Sequence, residues 1–379
     1  MRVLLTSAPL RGHLATLVPA GRSLRAAGHE VVLAVADELR DEAVRAGLTV
    51  VSTGPGPGPE GLAEAGGGIA HAPHAHGRLF GAMAVAALPV VTALVRDGHP
   101  DLVVSERAEF AGPVAAHRYG VAHVEMHWGV AELPGYRLGA AAELATELGG
   151  AGLPEPALRF DPWPPALRDE WARRHRDVRH VPYDGPTAPP VWLGRPPARP
   201  RVGLTMGTVL PRLDGGIATL RGLVDRLADA GVELVLALAD DLVAELGPLP
   251  AAVVHAGWLP LAPLAASCAL LVHHGGHGTT LTALAAGCPQ VMLPVFDDQF
   301  GNAAAAATAG AGVAITRRDA AAADPDALAA RCLAVLAEPA RAAAARSVAR
   351  AIAAMPGPAT TVHALEDAAE RGSTTLRAG

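Results

Sequence analysis

Short, almost wholly apolar segments alternate with longer helical ones along this chain, and the alternation runs twice. In the first round Arg2–Ser7, Glu30–Ala36, Leu48–Ser52, Asp101–Ser105 and Ala122–His127 read as strands. Helices fall between them: one runs to Ala27, one spans about Arg78 to Asp97, and one covers Phe110–Tyr119. The second round starts at Val202–Met206 and continues through Glu233–Ala239, Val253–His255, Ala269–His273, Gln290–Pro294 and Gly312–Ile315. Strands that are apolar on both faces, each followed by a helix, predict parallel sheets covered by helices. The fold class is α/β, with two Rossmann-like units. A proline-dense stretch over 154–200, including Asp161-Pro162-Trp163-Pro164-Pro165 and Pro196-Pro197, lies between them. The boundary is expected near 186–200, giving domains 1–195 and 196–379, with the last helix, about 357–371, placed to pack back on the first. Ligands of such sheets bind beyond the carboxyl ends of the strands, so the loops there carry the functional reading.

Composition removes several classes. At 379 residues the chain can bury two cores. A net charge of −6 with no basic patch argues against a nucleic-acid partner. The three cysteines, Cys268, Cys288 and Cys332, form neither a disulfide framework nor a CxxC metal spacing. No apolar run approaches the ~20 residues of a membrane span. The opening MRVLLTSAPLRGH lacks the layout of a signal peptide. A cytosolic protein without a membrane partner is expected. All 31 basic residues are Arg, Asn occurs only at Asn302, and Gln only at Gln290 and Gln299. Against that GC-rich coding bias, three carboxamides within 290–302 predict a local chemical requirement.

The densest motif is Leu271-Val-His-His-Gly-Gly-His-Gly-Thr-Thr-Leu-Thr-Ala-Leu. A buried strand ends at His273, a glycine turn follows, and a helix is expected to open at Thr279. Free N–H groups, the positive end of a helix dipole and two hydroxyls then surround one point, which suits a phosphate. His274 adds a side-chain donor. There is no Walker sequence, and neighbouring histidines diverge too far to share a metal ion easily. Near the other end, Arg11-Gly12-His13 reads as a turn beside the first helix N-terminus, whose dipole favours a neutral imidazole able to act as a base.

Together Gly257-Trp258-Leu-Pro, the His273–Thr280 turn, Gly287-Cys-Pro-Gln-Val, Asp297-Asp-Gln and Asn302-Ala resemble the nucleotide-sugar signature of family 1 glycosyltransferases. The likeness is greatest to the bacterial natural-product branch, and the two-round strand pattern extends it over nearly the whole chain. It implies the GT-B fold, with the donor on the C-terminal side of a cleft. It further implies diphosphate contacts from His274, Gly276, Gly278, Thr279 and, across the cleft, Thr208. Trp258 and Leu259 would take the nucleoside base, and Asp298 and Gln299 the sugar hydroxyls. Many UDP-sugar members carry a Glu at the position of Thr282, where it holds ribose hydroxyls. A neutral Thr282 favours a dTDP donor, which lacks the 2′-hydroxyl.

The resemblance makes His13 the general base. A neutral imidazole needs its second nitrogen oriented, usually by a carboxylate. Glu106 stands where relatives place an Asp; Asp101 lies at the far end of the same strand. The acceptor is expected among the segments 54–80, Glu125–Trp128 and Pro134–Leu148, within an apolar wall. His71, His74 and His76 fall in the first segment, read as a cleft-facing loop, with a metal site as the alternative. The expected reaction is inverting transfer from a dTDP-deoxysugar to a hydroxyl of a small apolar natural product, without a metal ion or other cofactor. Transfer to carbon of a phenolic acceptor stays open, as does a homodimer. A non-catalytic helper would have lost the base or the phosphate turn, and both are present. A dehydrogenase would need a GxGxxG after one of the first strands.

Overall fold

The computed structural model describes residues 1–57, 71–207, 216–316, 319 and 324–377. Thr208 and the end of the Gly54–Pro59 loop lie outside the described residues.

Two sheets form, parallel throughout. The first has seven strands in the order β3-β2-β1-β4-β5-β6-β7. These are β1 (Arg2–Thr6), β2 (Glu30–Val35), β3 (Thr49–Ser52), β4 (Leu102–Glu106), β5 (Ala122–Met126), β6 (Leu158–Asp161) and β7 (Arg176–Asp177). The second has six in the order β10-β9-β8-β11-β12-β13. Its strands are β8 (Arg201–Thr205), β9 (Glu233–Leu236), β10 (Val253–Ala256), β11 (Leu270–His273), β12 (Gln290–Met292) and β13 (Gly312–Ala314). β6 and β7 escape a pattern reading because they are short, proline-flanked and partly polar. In each sheet the chain leaves the first strand in one direction and later returns on its other side. That creates a switch point between β1 and β4, and another between β8 and β11, where a ligand crevice forms.

Leu5, Leu14, Leu17, Leu33, Leu102 and Val104 anchor one core under the first sheet. Leu204, Leu223, Leu234, Val272 and Val291 anchor the corresponding core under the second. The C-terminal helix Val362–Arg377 returns to the first sheet, where Val362, Leu365 and Ala368 join the core of Leu102 and Val124.

Helix Pro73–Gly98 corrects two expectations. With 26 residues and a mean hydropathy of 1.9 over its most apolar window, it is long and apolar enough to cross a membrane. Here Phe80, Ala84, Leu88, Val91 and Val95 form one buried stripe against the first sheet. Helix Pro134–Glu143 closes on it through glycines: a Cβ at Gly77 would lie 2.5 Å from the Tyr136 carbonyl oxygen. The expected helix starts only at about Arg78, and the residues before it and Pro134–Leu148 are expected as loops. His74 and His76 instead lie in the first turns of a core helix, and Pro134–Glu143 is its packing partner.

Candidate active site

At the first switch point Thr6 pairs with Ser105 in register, so whatever follows β1 stands beside the end of β4. Gly12 and His13 do not form a free turn; helix Arg11–Ala26 already begins at Arg11, placing His13 in its first turn. Glu106 is the last residue of β4 rather than a loop residue. His13 Nδ1 lies 3.0 Å from Glu106 Oε1, although the ring N–H does not aim straight at the carboxylate. Asp101, at the opposite end of β4, accepts the N–H of Arg2 and takes no part.

Glu106 is fully buried. Its Oε2 accepts the N–H of Ala108 at 2.8 Å and the indole N–H of Trp128 at 2.6 Å. Its Oε1 accepts the N–H of Ala8 at 3.2 Å. Burial pushes the carboxyl pKa up, but the charge and contact of His13 and these N–H donors outweigh it and hold Glu106 below its ordinary value. A buried carboxylate that stays ionised is the partner an imidazole needs to accept a proton. Phe80 and Trp128 flank the His13 ring, with centroids 5.4 and 5.0 Å away.

The second switch point is built the same way, with His273 in register with Thr205. The helix after β11 opens at His277, two residues earlier than expected, with Gly276 at its N-cap. Gly275 has φ +81°, where a side chain would be strained. Gly276 is required for another reason: a Cβ there would strike the His274 ring, which also packs beside Gly207 after β8. Gly278 has open space above it. A cleft of about 410 Å³ runs along this turn and gathers Trp258, Leu259, His274, Gly278, Thr279, Thr282 and Gln299. His13, Glu106, Gly276 and Asp298 do not line it. Burial pulls His274 down to about 4, so it enters the cleft as a neutral imidazole.

Trp258 is half exposed, which rules out a core role, and the guanidinium of Arg11 sits 4.6 Å from its ring centroid. Thr282 is buried, with its Oγ1 3.1 Å from His180 Nε2. His180 comes from the segment before β8, and no motif marks it. His277 sits inside the motif but was passed over. Its Nδ1 accepts the N–H of Gly129 and the indole N–H of Trp163, both at 3.0 Å, joining the two domains.

All three carboxamides serve as scaffold. Gln290 Oε1 pairs with His273 Nε2 at 2.7 Å. Gln299 Oε1 accepts the N–H groups of Val295 and Phe296, so its carbonyl is committed to capping helix Asp297–Thr308. Asn302 donates to Gly275 O and Asp298 Oδ2 and accepts from Val130. Asp298 lies in the first turn of that helix, where burial pushes it up to about 6 against the Asn302 donor and the positive charge of Arg107. Its neighbour Asp297 holds His71 at 3.2 Å, His76 at 2.5 Å and the Ala72 N–H at 3.0 Å, fastening the start of helix Pro73–Gly98 to the second domain. A second cavity of about 300 Å³, walled by Pro55, Phe80, Met83, Ala87 and Phe110, opens on the other side of Phe80 from His13.

Comparison with known proteins agrees with this architecture. The erythromycin biosynthesis protein CIII-like N-terminal domain matches residues 73–207, and the corresponding C-terminal domain matches residues 221–368. The chain is 41% identical over 324 residues to the L-demethylnoviosyl transferase of Streptomyces niveus, covering 83% of this chain and 85% of that protein. Its fold matches the Streptomyces sp. SF2575 glycosyltransferase SsfS6 complexed with thymidine diphosphate, with TM-score 0.81, 30% identity and coverage of 97% and 99%. It also matches the spinosyn rhamnosyltransferase SpnG complexed with thymidine diphosphate, with TM-score 0.83, 31% identity and coverage of 97% and 100%. The chain belongs to the bacterial natural-product branch of the family 1 glycosyltransferases, with the GT-B fold, and is a nucleotide-sugar glycosyltransferase.

Proposed function

We propose that the protein transfers a deoxysugar from a dTDP-sugar to a hydroxyl of a small apolar natural product, inverting the anomeric centre by single displacement. The carrying observation is the contact of His13 with the ionised, buried Glu106 at one switch point, while the His274 turn occupies the other. His13 takes the acceptor proton through its free nitrogen while Glu106 stabilises the imidazolium that forms. The acceptor oxygen attacks the anomeric carbon, and the diphosphate departs toward His274, Gly278, Thr279 and the helix N-terminus at His277. Neutral imidazoles and backbone N–H groups make this clamp dipolar, and it calls for no metal ion. Thr208 is proposed to reach the phosphates from the opposite loop, Trp258 and Leu259 to take the base, and Asp298 and the amide of Gln299 to take sugar hydroxyls. The apolar cavity beside Phe80 supports an apolar acceptor.

Two observations favour dTDP. SsfS6 and SpnG were both solved with thymidine diphosphate. Thr282 is neutral and already engaged by His180, so no carboxylate is presented to a ribose 2′-hydroxyl. At equal concentration dTDP is expected to raise the melting temperature more than UDP. Equal shifts, or a larger one with UDP, overturn the dTDP assignment and leave the transferase reading standing.

A further inference from the structure

The far edge of the first sheet carries a group of side chains to which the proposed transfer assigns no step, although His127 also lines the cleft of about 410 Å³. β5 runs on to His127, level with Asp161 at the end of β6, and His175 immediately precedes β7, the next strand of the sheet. The ligand atoms they offer lie within 4.8 Å of one another. His127 is 2% exposed and Asp161 1%. His127 Nδ1 lies 2.8 Å from Glu125 Oε1, which fixes the proton on Nδ1 and leaves the lone pair on Nε2. That Nε2 is buried and has no hydrogen-bond partner. A buried acceptor facing no donor is unfavourable and calls for a ligand. His175 Nδ1 stands 3.1 Å from Asp161 Oδ2, and the Trp171 ring covers both imidazoles with centroids 5.1 and 5.0 Å away.

We propose that His127, Asp161 and His175 hold one divalent transition-metal ion of the kind that imidazole and carboxylate ligands select, with zinc(II) as the representative. Two imidazoles and a carboxylate form such a donor set. Glu125 supplies the outer carboxylate that orients the His127 ligand. Arg168 is close, at 3.5 Å from Asp161 Oδ2, but its N–H groups are held by the carbonyls of Asp161, Trp163 and His175, and its charge is balanced by Asp177. It therefore fixes the backbone of the corner and leaves the His127 lone pair uncovered. On binding through Nδ1, a neutral His175 carries its single ring proton on Nε2 instead, and the Asp161 carboxylate exchanges the His175 N–H for the ion, with no net release of a proton. The ion acts as a clip across the ends of β5, β6 and β7, outside the chemical step.

The test uses tag-free protein, stripped with chelator and dialysed, then titrated with zinc(II) by calorimetry and with cobalt(II) by visible absorption. The wild type is expected to bind one equivalent, show a cobalt ligand-field band and melt at a higher temperature with zinc. His127→Phe keeps a ring against Trp171 but lacks the nitrogen, and should lose the band and the thermal shift. Glu125→Gln should keep the band with metal affinity weakened roughly 10–100-fold. A wild-type circular-dichroism spectrum and a cooperative melting transition in the absence of ligand show that each variant is folded; should His127→Phe fail that control, His175→Asn replaces it. Absence of stoichiometric binding by the wild type, or equal binding by the folded His127→Phe or His175→Asn variant, overturns the proposal.

Discussion

At the residue scale the decisive property of this protein is a carboxylate kept ionised in its interior. Glu106 retains its charge because three N–H groups and His13 surround it, and that charge is the proposed partner of the imidazolium formed on His13 during transfer. His13→Ala should lower turnover by about 10²–10⁴, the range for losing a general base, with dTDP affinity nearly unchanged. Glu106→Gln should cost less, because the base remains while its orientation and partner charge weaken. Steady-state kinetics beside a donor titration checks both; wild-type turnover in His13→Ala defeats the mechanism, and lost donor binding would move His13 to the donor side. His274 is neutral and half-buried between two glycine turns, so the contribution proposed for it is one directed hydrogen bond to an anion. His274→Ala should weaken dTDP binding by about 1.5–3 kcal/mol, read by calorimetry. The identity of both histidines was legible in the sequence because each follows a strand at a glycine. His180 was not, because nothing local distinguishes a histidine in a proline-rich segment from any other; only the fold sets it on Thr282.

At the element scale, glycines decide how closely helices and turns approach. Gly276 gives room to His274, and Gly77 and Gly81 let helix Pro73–Gly98 meet helix Pro134–Glu143 backbone to backbone. Gly77→Ala places a methyl against the Tyr136 carbonyl and should destabilise the fold by about 1–3 kcal/mol, the cost of overpacking a core. Urea denaturation measures it, and an unchanged midpoint would mean that the two helices separate freely. Because Phe80 on the first helix flanks His13, and Tyr136 on the second packs against Trp128 on the other side of that ring, a repacked helix pair should also reduce turnover. The sequence pattern marks helix Pro73–Gly98 only from about Arg78 to Asp97 and leaves its first turn in an expected loop. The buried stripe became visible only with a partner surface in place.

At the scale of the whole molecule, the two domains are joined by polar contacts: Asp297 to His71 and His76, Asn302 to Val130, and His277 to Gly129 and Trp163. Several histidines of the two domains are neutral: His123 and His273 are buried, and His180, His274 and His277 are half-buried. Burial pulls His123, His180 and His274 down to about 4 and His273 to about 3, and holds His277 well below the ordinary value of 6.5. Between pH 6.5 and about 4 the unfolded chain binds protons at these sites and the folded one does not. Their stabilising contribution is therefore complete above pH 6.5 and is lost as pH falls toward 4. Glu109 opposes this: burial pushes it up to about 7 from 4.5, so its single contribution is complete below 4.5 and is lost as pH rises through 7. Asp298, pushed up to about 6 from 3.8, opposes it in the same sense: its contribution is complete below 3.8 and is lost as pH rises through 6. Five histidines against two carboxyls predict a urea midpoint that falls from pH 7 to pH 5, and a flat or rising midpoint would contradict the neutral state of these histidines.

The alternation of apolar strands and helices determined the α/β class and its two rounds, because burial on both faces of a parallel sheet leaves a pattern readable within each segment. Strand ends marked by glycine and histidine drew attention to the two candidate site segments for the same local reason. What the tertiary structure decided depends on residues far apart in the chain. Gln290, Gln299 and Asn302 stand out by their rarity and predict a local chemical requirement, Gln299 a sugar contact; their side-chain oxygens are held by His273, by the N-terminus of a helix and by Val130 across the domain boundary. Asp297 looked like a neighbour of the sugar pair and proves to be an anchor for helix Pro73–Gly98. A hydrogen-bonding side chain announces its chemistry in the sequence, but its partner is fixed only when packing brings distant donors and acceptors within about 3 Å.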